Sequence, residues 1–119
     1  MTRDECLEAA RLCISHDRNE TYGSPSSSFG VVAALWTTLL SGKLRPGAKL
    51  AARDAILCMA ALKLARLAHN PAHDDSAIDL AGYAAIFAEA SSLEEDMRAA
   101  TDRLDAMESD WHARDAAAS

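Results

Sequence analysis

Glycine and proline are scarce in this chain of 119 residues, at five and three, and only 5% of it is aromatic. So few turn-formers and so few β-branched or aromatic residues exclude a protein built from many short strands. No stretch alternates apolar with polar residues over a useful strand length. Cysteine is limited to Cys6, Cys13 and Cys58, an odd number, and Cys6 and Cys13 stand two helical turns apart, beyond disulfide reach. Reduced thiols are expected. Cations are outnumbered 12 to 18, a net charge of −6, which excludes sequence-independent nucleic-acid binding. The start, Met1-Thr2-Arg3-Asp4-Glu5, has acids where a secretory leader needs a basic flank, and no segment approaches bilayer-spanning length. A cytoplasmic protein with no membrane partner is expected.

Half of the residues are apolar, mostly Ala and Leu, which favours helix and supports one modest core. The expected fold is all-α: a four- to five-helix bundle with a central antiparallel helical hairpin, working as an oligomer. The first helix spans about Thr2 to His16, with Thr2 as N-cap, Glu5 completing a capping box, and Leu7, Ala10 and Ile14 facing the core. After a loop from Asp17 to Pro25, a second helix runs from about Ser27 to Leu40, with Phe29, Val32, Trp36, Leu39 and Leu40 inward. No ionisable side chain occurs between Ser26 and Gly42. The linker Ser41 to Lys49 holds Lys43, Arg45 and Lys49, the only basic stretch.

The third helix, about Ala52 to His69, carries only Lys63 and Arg66 as charges after Asp54, and the fourth, from near Ser76, carries only Asp79 before Glu89. Helices this apolar are buried on most sides, and in so short a chain a subunit interface accounts for that burial economically. Residues 1–92 read as a helical ligand-binding domain, 93–115 as a separate amphipathic helix and 116–119 as a tail. In that amphipathic segment Leu93, Met97, Ala100, Leu104, Met107 and Trp111 repeat at coiled-coil spacing. The seam either pairs with another chain or docks on its own bundle.

The candidate site lies on the hairpin. Counted outward from the short connection His69 to Asp74, Lys63 and Asp79 stand at matching heights of ~13 and ~11 Å, and Arg66 lies nearer the turn, at ~8 Å. Asp75, Asp79 and Tyr83 share a face of the opposing helix, and Gly82 beside them leaves room for an approaching helix or ligand. The loop ahead of the second helix adds Arg18, Tyr22 and Gly23. The same residues have a purely structural reading, in which Ser76 and Asp79 form a capping box and the charges pair with one another. Cys13 and His16 share a helical face but lack a second ligand pair for zinc. His69 and His73 flank Pro71, where His69 would cap its helix.

The run Arg18 to Pro25, then Leu35-Trp36, Leu62-Lys63-Leu64-Ala65-Arg66-Leu67 and Asp79-Leu80-Ala81-Gly82-Tyr83, resembles a family of small proteins of tailed bacteriophages and prophages over about residues 5 to 90. That likeness implies a phage setting and little chemistry. More remotely the chain resembles phage nucleotide-modification-associated helical domains and all-α pyrophosphohydrolases of the MazG and dimeric dUTPase type. The latter hold magnesium with paired acids on facing helices, because a hard cation bridging phosphates needs several converging oxygens. Here the second helix has no acid, and Asp75 with Asp79 is the only acidic pair on the fourth.

Together these readings lead to a nucleotide-type small molecule bound between helices of a homo-oligomer and sequestered rather than converted, a host signalling nucleotide being one example. Arg18, Lys63 and Arg66 would take phosphate, Tyr22 and Tyr83 the base or ribose, with Asp75 and Asp79 orienting them, and no cofactor is needed. The alternatives are a magnesium-dependent nucleotide pyrophosphohydrolase using Asp75 and Asp79 as metal ligands, and a helical protein-interaction module.

Overall fold

A computed structural model describes residues 1–15 and 25–118 of the chain, and all secondary structure among them is helical. Helix α1 spans Arg3–Cys13, α2 Pro25–Leu39, α3 Ala52–His69 and α4 Asp74–Ala118.

Local chemistry accounts for where the helices begin. Thr2 Oγ1 accepts from the amide of Glu5 at 3.1 Å while the Glu5 carboxylate accepts from the amide of Thr2 at 3.2 Å, the expected capping box. One turn on, Arg11 donates to Glu8 at 2.7 Å, and this hydrogen bond, followed by the guanidinium charge, holds the Glu8 carboxyl below its ordinary range. At the start of α3, Asp54 accepts from the amide of Ala51 at 2.8 Å. The linker between α2 and α3 turns at Gly47, whose φ of 79° suits glycine. It is then clipped back onto α2, because Thr37 Oγ1 accepts from the amide of Leu50 at 2.9 Å and donates to Ala33 O at 2.7 Å.

Helix α4 starts two residues earlier than expected and runs for 45 residues, so the expected fourth helix and the separate segment 93–115 are one continuous rod. Nothing in its sequence interrupts it: after Gly82 there is neither glycine nor proline. At ~1.5 Å per residue it is ~67 Å long, which accounts for the longest molecular dimension of 71 Å.

The core is small and sits between α3 and the first half of α4. Ile56 packs with Ile86 and Ala90, and Ile14, Phe29, Tyr83 and Phe87 close around them. Arg53 lies 3.3 Å from Glu94 and Lys63 lies 2.8 Å from Asp79. Rising numbers on α3 thus meet falling numbers on α4, so the two helices run antiparallel. Gly82 is buried, and a methyl group there would stand 3.4 Å from Ile14 Cγ2. The missing side chain therefore admits the end of α1 rather than a ligand.

Several expected core residues are outside instead. Leu7 and Leu39 are exposed, because Ala10 and Ala33 carry the contacts of their helices. The chain as a whole exposes 8921 Å², against about 6,200 Å² for a compact monomer of this mass. Its radius of gyration is 19.7 Å, against about 13.5 Å for a compact chain of this length.

Candidate functional site

The hairpin turn Asn70 to His73 fixes what the ends of α3 and α4 present to one another. Asn70 Oδ1 accepts from the amide of Ala72 at 3.3 Å, which shapes the turn around Pro71. His73 then caps α4 with its side chain. The amide of Ser76 lies 3.2 Å from His73 Nδ1, and Ser76 Oγ lies 2.7 Å from the same nitrogen. Two donors converging on Nδ1 require it to be the unprotonated nitrogen, which assigns the proton to Nε2 and leaves that N–H as a donor. Ser76 is completely buried under this cap. Since α4 begins at Asp74, Ser76 is not the N-cap, and Asp79 does not serve as the acid of a capping box.

Instead Asp79 reaches α3, where its Oδ2 lies 2.8 Å from Lys63 Nζ. The Lys63 side chain is 11% exposed and that of Asp79 40%. The pair therefore stands at the rim of the helix interface: a mostly covered lysine side chain with a half-open aspartate. The matching heights read from the sequence are found.

Three residues further along α3, Arg66 turns to the neighbouring face. There Leu62, Ala65, Arg66, His69, Asn70 and His73 line an open groove of about 460 Å³. This volume falls in the range of small-molecule sites, ~300–1,000 Å³. Its chemistry is divided: Leu62 and Ala65 offer an apolar wall, while a guanidinium, two imidazoles and an amide offer hydrogen bonds. Arg66 is the only full cation of the set.

The other sequence candidates are placed apart from the groove. Asp75 is exposed on the first turn of α4, where with Asp74 it complements the positive end of the helix. Tyr83 packs edge-on against Phe29, with ring centroids 6.0 Å apart and planes at 77°, so this ring serves the core. Arg18, Tyr22 and Gly23 lie outside the described residues, as does His16, the proposed zinc partner of Cys13. His69, Asn70 and His73 were undervalued in the sequence. Their spacing around Pro71 signalled a turn, and only the closing of that turn brings them onto the groove of Arg66.

Among the described residues, no three His, Cys, Asp or Glu side chains converge as a metal site would need, and no helix is long and apolar enough to cross a membrane.

Comparison with known proteins adds a lineage to this geometry. A family model described as "Domain of unknown function (DUF6378)" matches residues 5–91. The match ends one residue after Ala90, the last buried position of α4 among those described. The chain is similar to the Gene 55 protein of Mycobacterium phage L5, at 33% identity over 92 residues, covering 77% of this chain and 55% of the relative. It is likewise similar to the Gene 55 protein of Mycobacterium phage D29, at 32% over 81 residues, covering 68% and 50%. The chain thus spans about half the length of these curated relatives. No solved structure matches it.

Proposed function

We propose, for a chain that belongs to the family described as domain of unknown function (DUF6378), that it binds a small phosphate-bearing molecule of the nucleotide class and holds it without converting it. The observation that carries this reading is the groove at the hairpin turn, where Arg66 stands with His69, Asn70 and His73 against an apolar wall of Leu62 and Ala65. A guanidinium presents its donors in a planar fork that fits two phosphate oxygens, and it remains charged at any physiological pH. The Nε2–H of His73 and the Asn70 amide supply neutral donors, and the apolar wall suits a flat base or the face of a ribose.

Binding without turnover is favoured over hydrolysis by what surrounds the acids. Asp79, one of the two carboxylates that the pyrophosphohydrolase alternative needs, is held by Lys63, and Asp75 stands on the outer side of its helix start. A magnesium set for that reaction would have to be completed by residues beyond those described or by a second chain.

The test is to heat-release small molecules from the purified full chain and identify them by mass spectrometry, then titrate the identified compound back. An intact nucleotide-class molecule is expected, with Arg66→Ala weakening its binding at least tenfold, about 1.4 kcal/mol or more. If a nucleotide panel incubated with magnesium loses its parent compound, the hydrolase reading replaces this one. If Arg66→Ala binds as the parent does, the groove is not the site.

A further inference from the structure

The row that α4 turns toward α3 does not stop where α3 stops. In its first half this row is Ser76, Asp79, Tyr83, Ile86 and Ala90, every member of which is buried or partly buried. Counting on in the same alternation of three and four gives Leu93, Met97, Ala100, Leu104, Met107 and Trp111. From Met97 on, this continuation lies beyond Arg53 and Glu94, where α3 begins, and its large side chains stand open among the described residues: Met97 is 70% exposed, Leu104 65%, Met107 68% and Trp111 63%. One unbroken seam is thus an established helix interface over its first half and open over its second.

We propose that the open half of α4 pairs with the same half of a second copy, antiparallel, in the register that sets Ala100 against Trp111 and Leu104 against Met107. Three observations select this occupant and direction. The first is area. The chain's surface exceeds that of a compact monomer by about 2,700 Å², well above the ~800 Å² per partner of a stable interface. The second is steric. On the seam side of residues 76–90 each α4 already carries its own α3, so two chains running parallel in register would bring two copies of α3 into one space. An antiparallel partner keeps its α3 at the far end, and its α4 runs in the same direction as the α3 that it succeeds along the seam. The third is complementarity. The register opposes the smallest seam residue to the largest, and it brings Arg103, which flanks the seam, to Asp110 of the other copy on each side of the two-fold axis. Asp110 already holds Arg114 at 3.1 Å within its own helix, so the carboxylate would bridge two cations.

Sedimentation equilibrium of the full chain tests the pairing, and a photocrosslink tests the direction. The chain should sediment at twice its 12.7 kDa. The double substitution Leu104→Glu with Met107→Glu, which sets four carboxylates around the two-fold axis, should halve that mass with unchanged far-ultraviolet circular dichroism, because neither side chain supports the fold of the single chain. With Trp111→p-benzoylphenylalanine, irradiation should attach residue 111 to residues around Ala100. These lie ~16 Å away along the same helix, so such a product joins two chains. A monomer at every concentration overturns the proposal, as does a dimer that survives the double substitution. Crosslinks confined to residues 107–114 would mean a parallel pair and overturn it equally.

Discussion

Lys63 and Asp79 show what one ion pair does at the rim of a small core. Asp79→Ala would leave a lysine side chain that is 11% exposed without the carboxylate that holds its ammonium at 2.8 Å. Leaving a covered charge unpaired costs about 1–3 kcal/mol, and the lower half of that range is expected here because Asp79 itself is 40% exposed and screened by water. Lys63→Met keeps the stem that packs and removes the charge together with its need for a partner, so it should lie within about 1 kcal/mol of the parent. Urea denaturation of both variants checks the asymmetry, and equal losses would mean that the stem, not the charge, carries the contact. The matching heights of this pair were legible in the sequence, because two residues equally distant from a short turn stand level across it. The separation of Arg66 from the pair was harder to read. Three residues along a helix is 60° short of a full turn, which is enough to move a side chain from the interface to the groove beside it.

At the scale of the element, α4 depends on its first turn. His73 takes both the amide and the hydroxyl of the buried Ser76, so His73→Ala should cost about 1 kcal/mol of stability, the usual loss of a helix cap. The same substitution should also weaken binding in the groove, through loss of the Nε2–H donor. His73→Asn can restore a cap through its side-chain oxygen, so recovered stability without recovered affinity would separate the two roles in paired melting and titration experiments. Capping was legible at Thr2 because a threonine three residues before a glutamate is a local pattern. It was misplaced at Ser76, where an imidazole does the work of the cap and the serine is its partner. The length of α4 was misread for a related reason. The shift from apolar to charged composition after Ala90 marks a change in what covers the helix, whereas the backbone is interrupted only by residues that break hydrogen bonding, and there are none.

For the whole molecule, the proposed antiparallel pairing would fix an overall shape. With the two-fold axis passing between residues 105 and 106, the hairpin turns of the two copies would stand about 95 Å apart, at opposite poles. Small-angle scattering of the full chain should then give a maximum dimension of about 100 Å. A dimension close to the 71 Å of the single chain would contradict that arrangement. The two grooves would act independently at such a distance, so titration should show two equal sites per dimer.

Residue order alone made legible that the chain is helical, where α1 and α3 begin, and that Lys63 and Asp79 stand level across the hairpin. Each of these follows from local spacing or from a turn too short to allow another arrangement. That His73 caps α4, that Gly82 receives Ile14, that Tyr83 belongs to the core beside Phe29, and that Arg66 shares a groove with His69 and Asn70 emerged only from the packing of the helices. Those outcomes depend on the rotation of each helix about its axis. Rotation is set by how side chains from distant parts of the chain fill a common space, a property that no local window of residues contains.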